Sequence, residues 1–163
     1  MNDASAMLID ADDLLLREDG SLAAGACEVL RRMRLGSVPV LVFSDRDESL
    51  VRDHLERGLG HEVAAVTAVV GRGREREAGS GFPSPTILLQ TISAHGVDPF
   101  GSWMLTRRQE GLRAAEQAGC AGVVWFGAAL ERKPRLTLRQ ADCFANCTIA
   151  MVPAEGGCWH ART

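Results

Sequence analysis

Short apolar runs alternate along this chain with longer stretches whose apolar residues recur every three or four positions. The first run, Met7–Ile9, reaches Asp10 and Asp12 and turns apolar again at Leu14. Ala24–Met33 sets Ala26, Val29, Leu30 and Met33 on one face, which predicts a helix stopped by Gly36. Val38–Phe43, "VPVLVF", predicts a strand covered on both faces. A helix is predicted over Asp47–Leu59 with Leu50, Val51 and Leu55 inward, then a strand within Val63–Val70. Gly71–Ser84 is a charged, glycine-rich loop with no core signal. Helical spacing returns over Pro85–His95, at Ile87, Leu88, Thr91 and Ile92, and "GVDP" closes it. Trp103–Leu105 reads as a strand, Gln109–Gly119 as a helix and Gly122–Phe126 as a strand. Leu136–Ala141 reads as a short helix and Cys147–Val152 as a last strand.

Strands that alternate with helices predict an α/β domain, a parallel sheet with helices on both faces, here without internal repeat over residues 1–163. Ligands of such sheets bind at the carboxyl ends of the strands. Asp10, Ser44 and Thr106 each follow an apolar run directly, so all three are predicted on that edge.

Composition narrows the picture. The 163 residues suit one domain with a real core, and 46% hydrophobic and 24% charged residues are ordinary for a globular protein. A net charge of -3 gives no reason to expect nucleic acid or an anionic membrane as partner. No run approaches the roughly 20 apolar residues of a membrane span. "MNDASAMLID" has no basic residue before its apolar run, so no signal peptide is expected. Five scattered cysteines read as reduced thiols in a cytoplasm. Lys133 is the sole lysine among 18 basic residues.

Two carboxylates separated by a single residue at a strand end repel, and burying them is costly without a compensating cation or proton. The stretch "LIDADDLLL" resembles the first motif of the haloacid-dehalogenase (HAD) superfamily. Phe82–Phe126, with "FPSP", "GVDP", "SWML" and "AAEQAGCAGV" in that order, is similar to its small histidinol-phosphate and heptose-bisphosphate phosphatases. That resemblance implies a Rossmann-like domain without a large cap. It implies Asp10 as nucleophile, Asp12 as general acid/base, Ser44 as a phosphoryl-binding hydroxyl and Mg²⁺ at Asp10 and Asp12. Asp45, Thr106, Arg107 and Arg108 are the other candidate phosphate- or ligand-binding residues of that edge.

The chain departs from the pattern where charge is neutralised. The family's lysine falls on Phe82. Its metal-binding aspartate falls on Arg107 and a further aspartate on Gly111. The Gly-Thr after the second aspartate is Asp13-Leu14. Asp10 and the Asp12 carbonyl would offer Mg²⁺ only part of the oxygen shell it needs. Each lost charge-stabilising group costs about 10²–10³ in rate. The expectation is that Arg107, through a forked ion pair, compensates Asp10 and Asp12 in place of a metal, or that Arg107 or Arg108 holds an anionic ligand.

Two functions follow. One is a degenerate or metal-independent HAD homologue that takes a small molecule or a protein partner, or that uses the aspartates on a non-phosphate substrate. The other is a Mg²⁺-dependent hydrolase of a small sugar or amino-alcohol phosphate through an aspartyl-phosphate. Cys143, Cys147, Cys158 and His160 lack tight metal-ligand spacing, so no zinc is expected. Lys133, His54, His61 and His95 are expected on the surface.

Overall fold

The computed structural model describes residues 5–72 and 83–143, and the strand backbone at 151–153 and 159–161. Six parallel strands form one sheet in the order β3-β2-β1-β4-β5-β6. They are β1 (Met7–Asp10), β2 (Val40–Phe43), β3 (Ala68–Val70), β4 (Trp103–Thr106), β5 (Gly122–Trp125) and β6 (Thr137–Gln140). The helices are α1 (Ala26–Leu35), α2 (Glu48–Leu59), α3 (Pro85–Ala94) and α4 (Gln109–Ala118), with a 3₁₀ segment at Gly60–Ala65. Among the described residues no inserted domain interrupts the alternation.

The period of two along each strand splits the core into two clusters. Met7, Ile9, Val40, Val42, Trp103 and Leu105 pack with Val29, Leu30 and Met33 of α1 and Val51 and Leu55 of α2. Leu8, Leu41, Phe43, Met104, Val123 and Trp125 pack with Leu88 and Ile92 of α3 and Leu112 and Ala115 of α4. The inner strands are buried along their whole length, which is why they read as unbroken apolar runs. Asp47 caps α2 by accepting the Ser49 N–H, and Ser84 caps α3 by accepting that of Ile87.

The sequence reading needs correction at four places. Leu136–Ala141 is not a helix but contains β6, the edge strand beside β5. Leu136 and Leu138, two residues apart, pack on the α3–α4 side, a strand spacing in a stretch too short to show a helical one. Only Ala68–Val70 of the Val63–Val70 run pairs with β2, because the preceding turn is 3₁₀. Leu50 is exposed rather than inward. Met151–Pro153 pairs antiparallel with Trp159–Ala161 as β7 and β8 rather than closing the main sheet. The rest of the expected Cys147–Val152 strand lies outside the described residues.

Candidate functional site

Asp10 is the last residue of β1 and shares Leu8's side of the sheet, which points it toward α4. It is completely buried. Strand β4 runs beside β1 with Leu105 level with Ile9, so Thr106 ends level with Asp10. The Thr106 hydroxyl donates to Asp10 Oδ2 at 2.8 Å. Thr106 Oγ1 in turn accepts the Arg108 backbone N–H at 3.1 Å, which fixes the turn into α4. Arg108 then lays its fork on the carboxylate. Its Nε donates to Asp10 Oδ2 at 2.9 Å, and its Nη2 donates to Asp10 Oδ1.

The guanidinium reaches further. Its Nη1 donates to Asp45 Oδ2 at 3.0 Å, and Nη2 lies 3.7 Å from Asp12 Oδ2. Burial pushes the Asp10 carboxyl up to about 6, with the Arg108 bonds and charge and the Thr106 hydroxyl drawing it back down. Burial alone would loosen the Arg108 proton, but the bonds and charge of Asp10, with Asp12 and Asp45, outweigh it and hold the proton more firmly.

Asp12 is gripped from the β2 side. Its Oδ1 accepts the Ser44 hydroxyl at 2.7 Å, and its Oδ2 accepts the Asp45 backbone N–H at 2.6 Å. Ser44 is fully buried, and its Oγ also accepts the Arg46 N–H at 3.1 Å. Arg46 Nε lies 3.6 Å from Asp12 Oδ1, and Arg72 Nη2 lies 2.9 Å from Asp45 Oδ1. A Cβ on Gly71 would come within 2.4 Å of the Glu48 backbone nitrogen, so a bare backbone there brings Arg72 close to α2's start. After Asp12 the chain turns sharply, with Leu14, Leu15 and Leu16 N–H groups all meeting the Ala11 carbonyl. Asp13 takes a left-handed φ of 58°, which glycine and aspartate tolerate best and which accounts for the Asp13 departure.

The expected compensating arginine was the wrong one of a pair. Arg107 is exposed, and its Nη1 donates to the Asp13 carbonyl at 2.6 Å rather than to either aspartate. The chain bends at Arg107 and Arg108 right after β4, and the bend carries the Arg108 side chain back to Asp10 while Arg107 reaches Asp13. Arg46 and Arg72 were missed altogether, since they lie on loops from other strands. Above the ion pairs, Asp13, Arg17, Glu18, Arg107 and Arg108 line an open cleft of about 540 Å³.

The remaining candidates stand apart. Lys133, His61 and His95 are exposed, whereas His54 is half-buried against Gly20. Burial pushes the Cys120 thiol up to about 12, which suits a core residue and not a nucleophile. Cys143 is exposed. Phe82, Cys147, Cys158 and the side chains of Trp159 and His160 lie outside the described residues. Among the described residues no helix is long and apolar enough to cross a membrane.

Solved structures share this architecture. A D,D-heptose 1,7-bisphosphate phosphatase from B. bronchiseptica, complexed with magnesium and phosphate, matches with a TM-score of 0.70 at 19% identity, over 88% of this chain and 95% of its own. An uncharacterized protein from Listeria monocytogenes serotype 4b gives 0.70 at 15%, over 86% and 93%. A HAD-superfamily hydrolase from Ehrlichia chaffeensis gives 0.60 at 16%, over 77% of this chain, which spans only 55% of that protein. No protein-family model and no curated protein matches the chain.

The magnesium of such a neighbour poses a test of this chain's own residues. Mg²⁺ needs an octahedron of oxygens with at least one free carboxylate. Here both Asp10 oxygens face Arg108 N–H groups, and the Asp12 carboxylate is spent on Ser44 and the Asp45 N–H. Among the described residues no three His, Cys, Asp or Glu side chains converge as a metal site. The residues present do not fit the ion. Strand order, the strand-end aspartate and the solved neighbours nonetheless agree, and the chain has the fold of the haloacid-dehalogenase superfamily hydrolases.

Proposed function

We propose that this chain is a catalytically degenerate, metal-independent homologue of the HAD phosphatases. One observation carries the reading: the Arg108 fork occupies both oxygens of Asp10. A nucleophilic carboxylate attacks through a free lone pair, and phosphoryl transfer rests on positioned charge around the transferred group. Here the nucleophile is neutralised by a side chain of the same chain, and the metal-binding aspartate is Arg107. At about 10²–10³ in rate per lost charge-stabilising group, several orders of magnitude are forfeited. What remains usable is the cleft beside Arg107, which suits a small anionic ligand or an acidic segment of a protein partner. Free Cys27, Cys120 and Cys143 accord with a reducing, cytoplasmic setting.

Calorimetric titration of the wild type with MgCl₂, run beside hydrolysis of an aryl phosphate, tests the reading. The expected result is no saturable heat and no turnover above buffer. Saturable binding at millimolar Mg²⁺ together with turnover would overturn it and restore an active phosphomonoester hydrolase built on Asp10 and Asp12.

A further inference from the structure

We propose that the cleft between α4 and the loop after β5 is a binding site for a nucleoside monophosphate, separate from the aspartate cluster.

The cleft holds about 530 Å³, within the range of small-molecule pockets. Its loop leaves the end of β5 and its helix starts just past the end of β4, so it opens on the sheet edge where ligands of such folds bind. It shares no lining residue with the cleft above the ion pairs. One wall is a single face of α4, with Gln109, Leu112, Arg113 and Glu116 at helical spacing. The other wall is the loop, which brings Leu130, Glu131, Arg132 and Pro134.

Both walls are fixed before a ligand arrives. Helix α4 lies tight on β4, since a Cβ on Gly111 would run into Thr106 Oγ1. The loop is strapped at both ends. The Trp125 indole N–H donates to the Ala128 carbonyl at 2.7 Å, and the Arg135 backbone N–H donates to Glu116 Oε1 at 2.6 Å. A preformed cleft spares the ordering cost that binding would otherwise carry.

The lining combines three chemistries. Arg113 and Arg132 are exposed and, among the described residues, have no hydrogen-bond or ion-pair partner. Arg46, Arg72 and Arg108 differ, because Asp12, Asp45 and Asp10 take up their guanidiniums. Two unpaired guanidiniums suit a doubly charged phosphate, which each can meet with paired N–H groups. Leu112, Leu130 and the buried Pro134 offer an apolar surface to a flat ring. Glu131 supplies an exposed carboxylate, the acceptor that ribose hydroxyls take. Phosphate, hydroxylated sugar and flat ring together make a nucleoside monophosphate. A bare sugar phosphate would leave the apolar surface uncovered, and an apolar carboxylate would leave Glu131 without a donor.

Calorimetric titration of the full chain with AMP, without added metal, tests the proposal. One saturable site is expected. Arg113→Ser combined with Arg132→Ser should weaken it at least roughly tenfold. Both side chains are exposed, so the double variant keeps the fold. Ribose 5-phosphate, which lacks the ring, and adenosine, which lacks the phosphate, should each bind at least roughly tenfold more weakly than AMP. Absence of saturable heat at millimolar AMP, unchanged affinity in the double variant, or ribose 5-phosphate or adenosine binding as tightly as AMP overturns the proposal. None of these outcomes touches the proposed function, which rests on Asp10 and Arg108.

Discussion

Asp10 and Asp12 sit two residues apart and are held in opposite ways. On the β2 side, Asp12 receives a hydroxyl and a backbone N–H, both fixed by the strand end itself. On the β4 side, Asp10 receives a long, charged side chain and one hydroxyl. The Asp12 donors are largely in place once β1 and β2 pair. The principal Asp10 donor depends on one rotamer of one arginine. A buried carboxylate is thus made tolerable in two ways, and only one of them can be removed with a single side chain.

The sharpest way to break the contrast is to remove Arg108. Arg108→Met should destabilise the fold by about 3–5 kcal/mol at pH 7, because a buried charge is left unpaired. Chemical denaturation would show it, and the loss should shrink at pH 5 as Asp10 takes up a proton. A loss below about 1 kcal/mol at pH 7 would mean that Thr106 and water suffice for Asp10.

Titration sharpens the contrast next. The folded Asp10 carboxyl sits near 6, above its ordinary 3.8, so the folded state binds the extra proton between those values. Stability from this group is therefore highest in acid and falls as pH rises through that window. Relative to Asp10→Asn, wild type should gain as much as about 3 kcal/mol between pH 7 and pH 4. A pH-independent difference between the two proteins would refute the assignment.

Smaller effects follow on the Asp12 side. Ser44→Ala should cost about 1–2 kcal/mol, since Asp12 keeps the Asp45 N–H. Equal losses for Ser44→Ala and Arg108→Met would erase the difference between the two grips. Arg107→Ala should change stability by less than about 0.5 kcal/mol, as expected of an exposed side chain. A loss of more than about 1 kcal/mol would return Arg107 to the role the sequence first suggested for it.

The alternation of strands and helices was readable because buried parallel strands carry unbroken apolar runs, as "VLVF" and "GVVW" do. The strand-end residues Asp10, Ser44 and Thr106 were readable for the same reason. The edge strand β6 was not, since half of its four residues are exposed and it holds a single leucine. Pairing within the site was the hardest part. Motif spacing fixed attention on Arg107, while the bend after Thr106 gave the contact to Arg108. Arg46 and Arg72 reach the aspartates across chain separations that no local pattern encodes.

Gly111 sets how close α4 can lie to β4. A carboxylate substituted there would set its own Cβ 2.3 Å from Thr106 Oγ1 before the new side chain could reach the aspartates. Helix α4 would first have to slide outward, and Arg108 holds its first turn to β1. The glycine and the arginine are therefore coupled: one sets how near the helix lies to β4, the other pins it there.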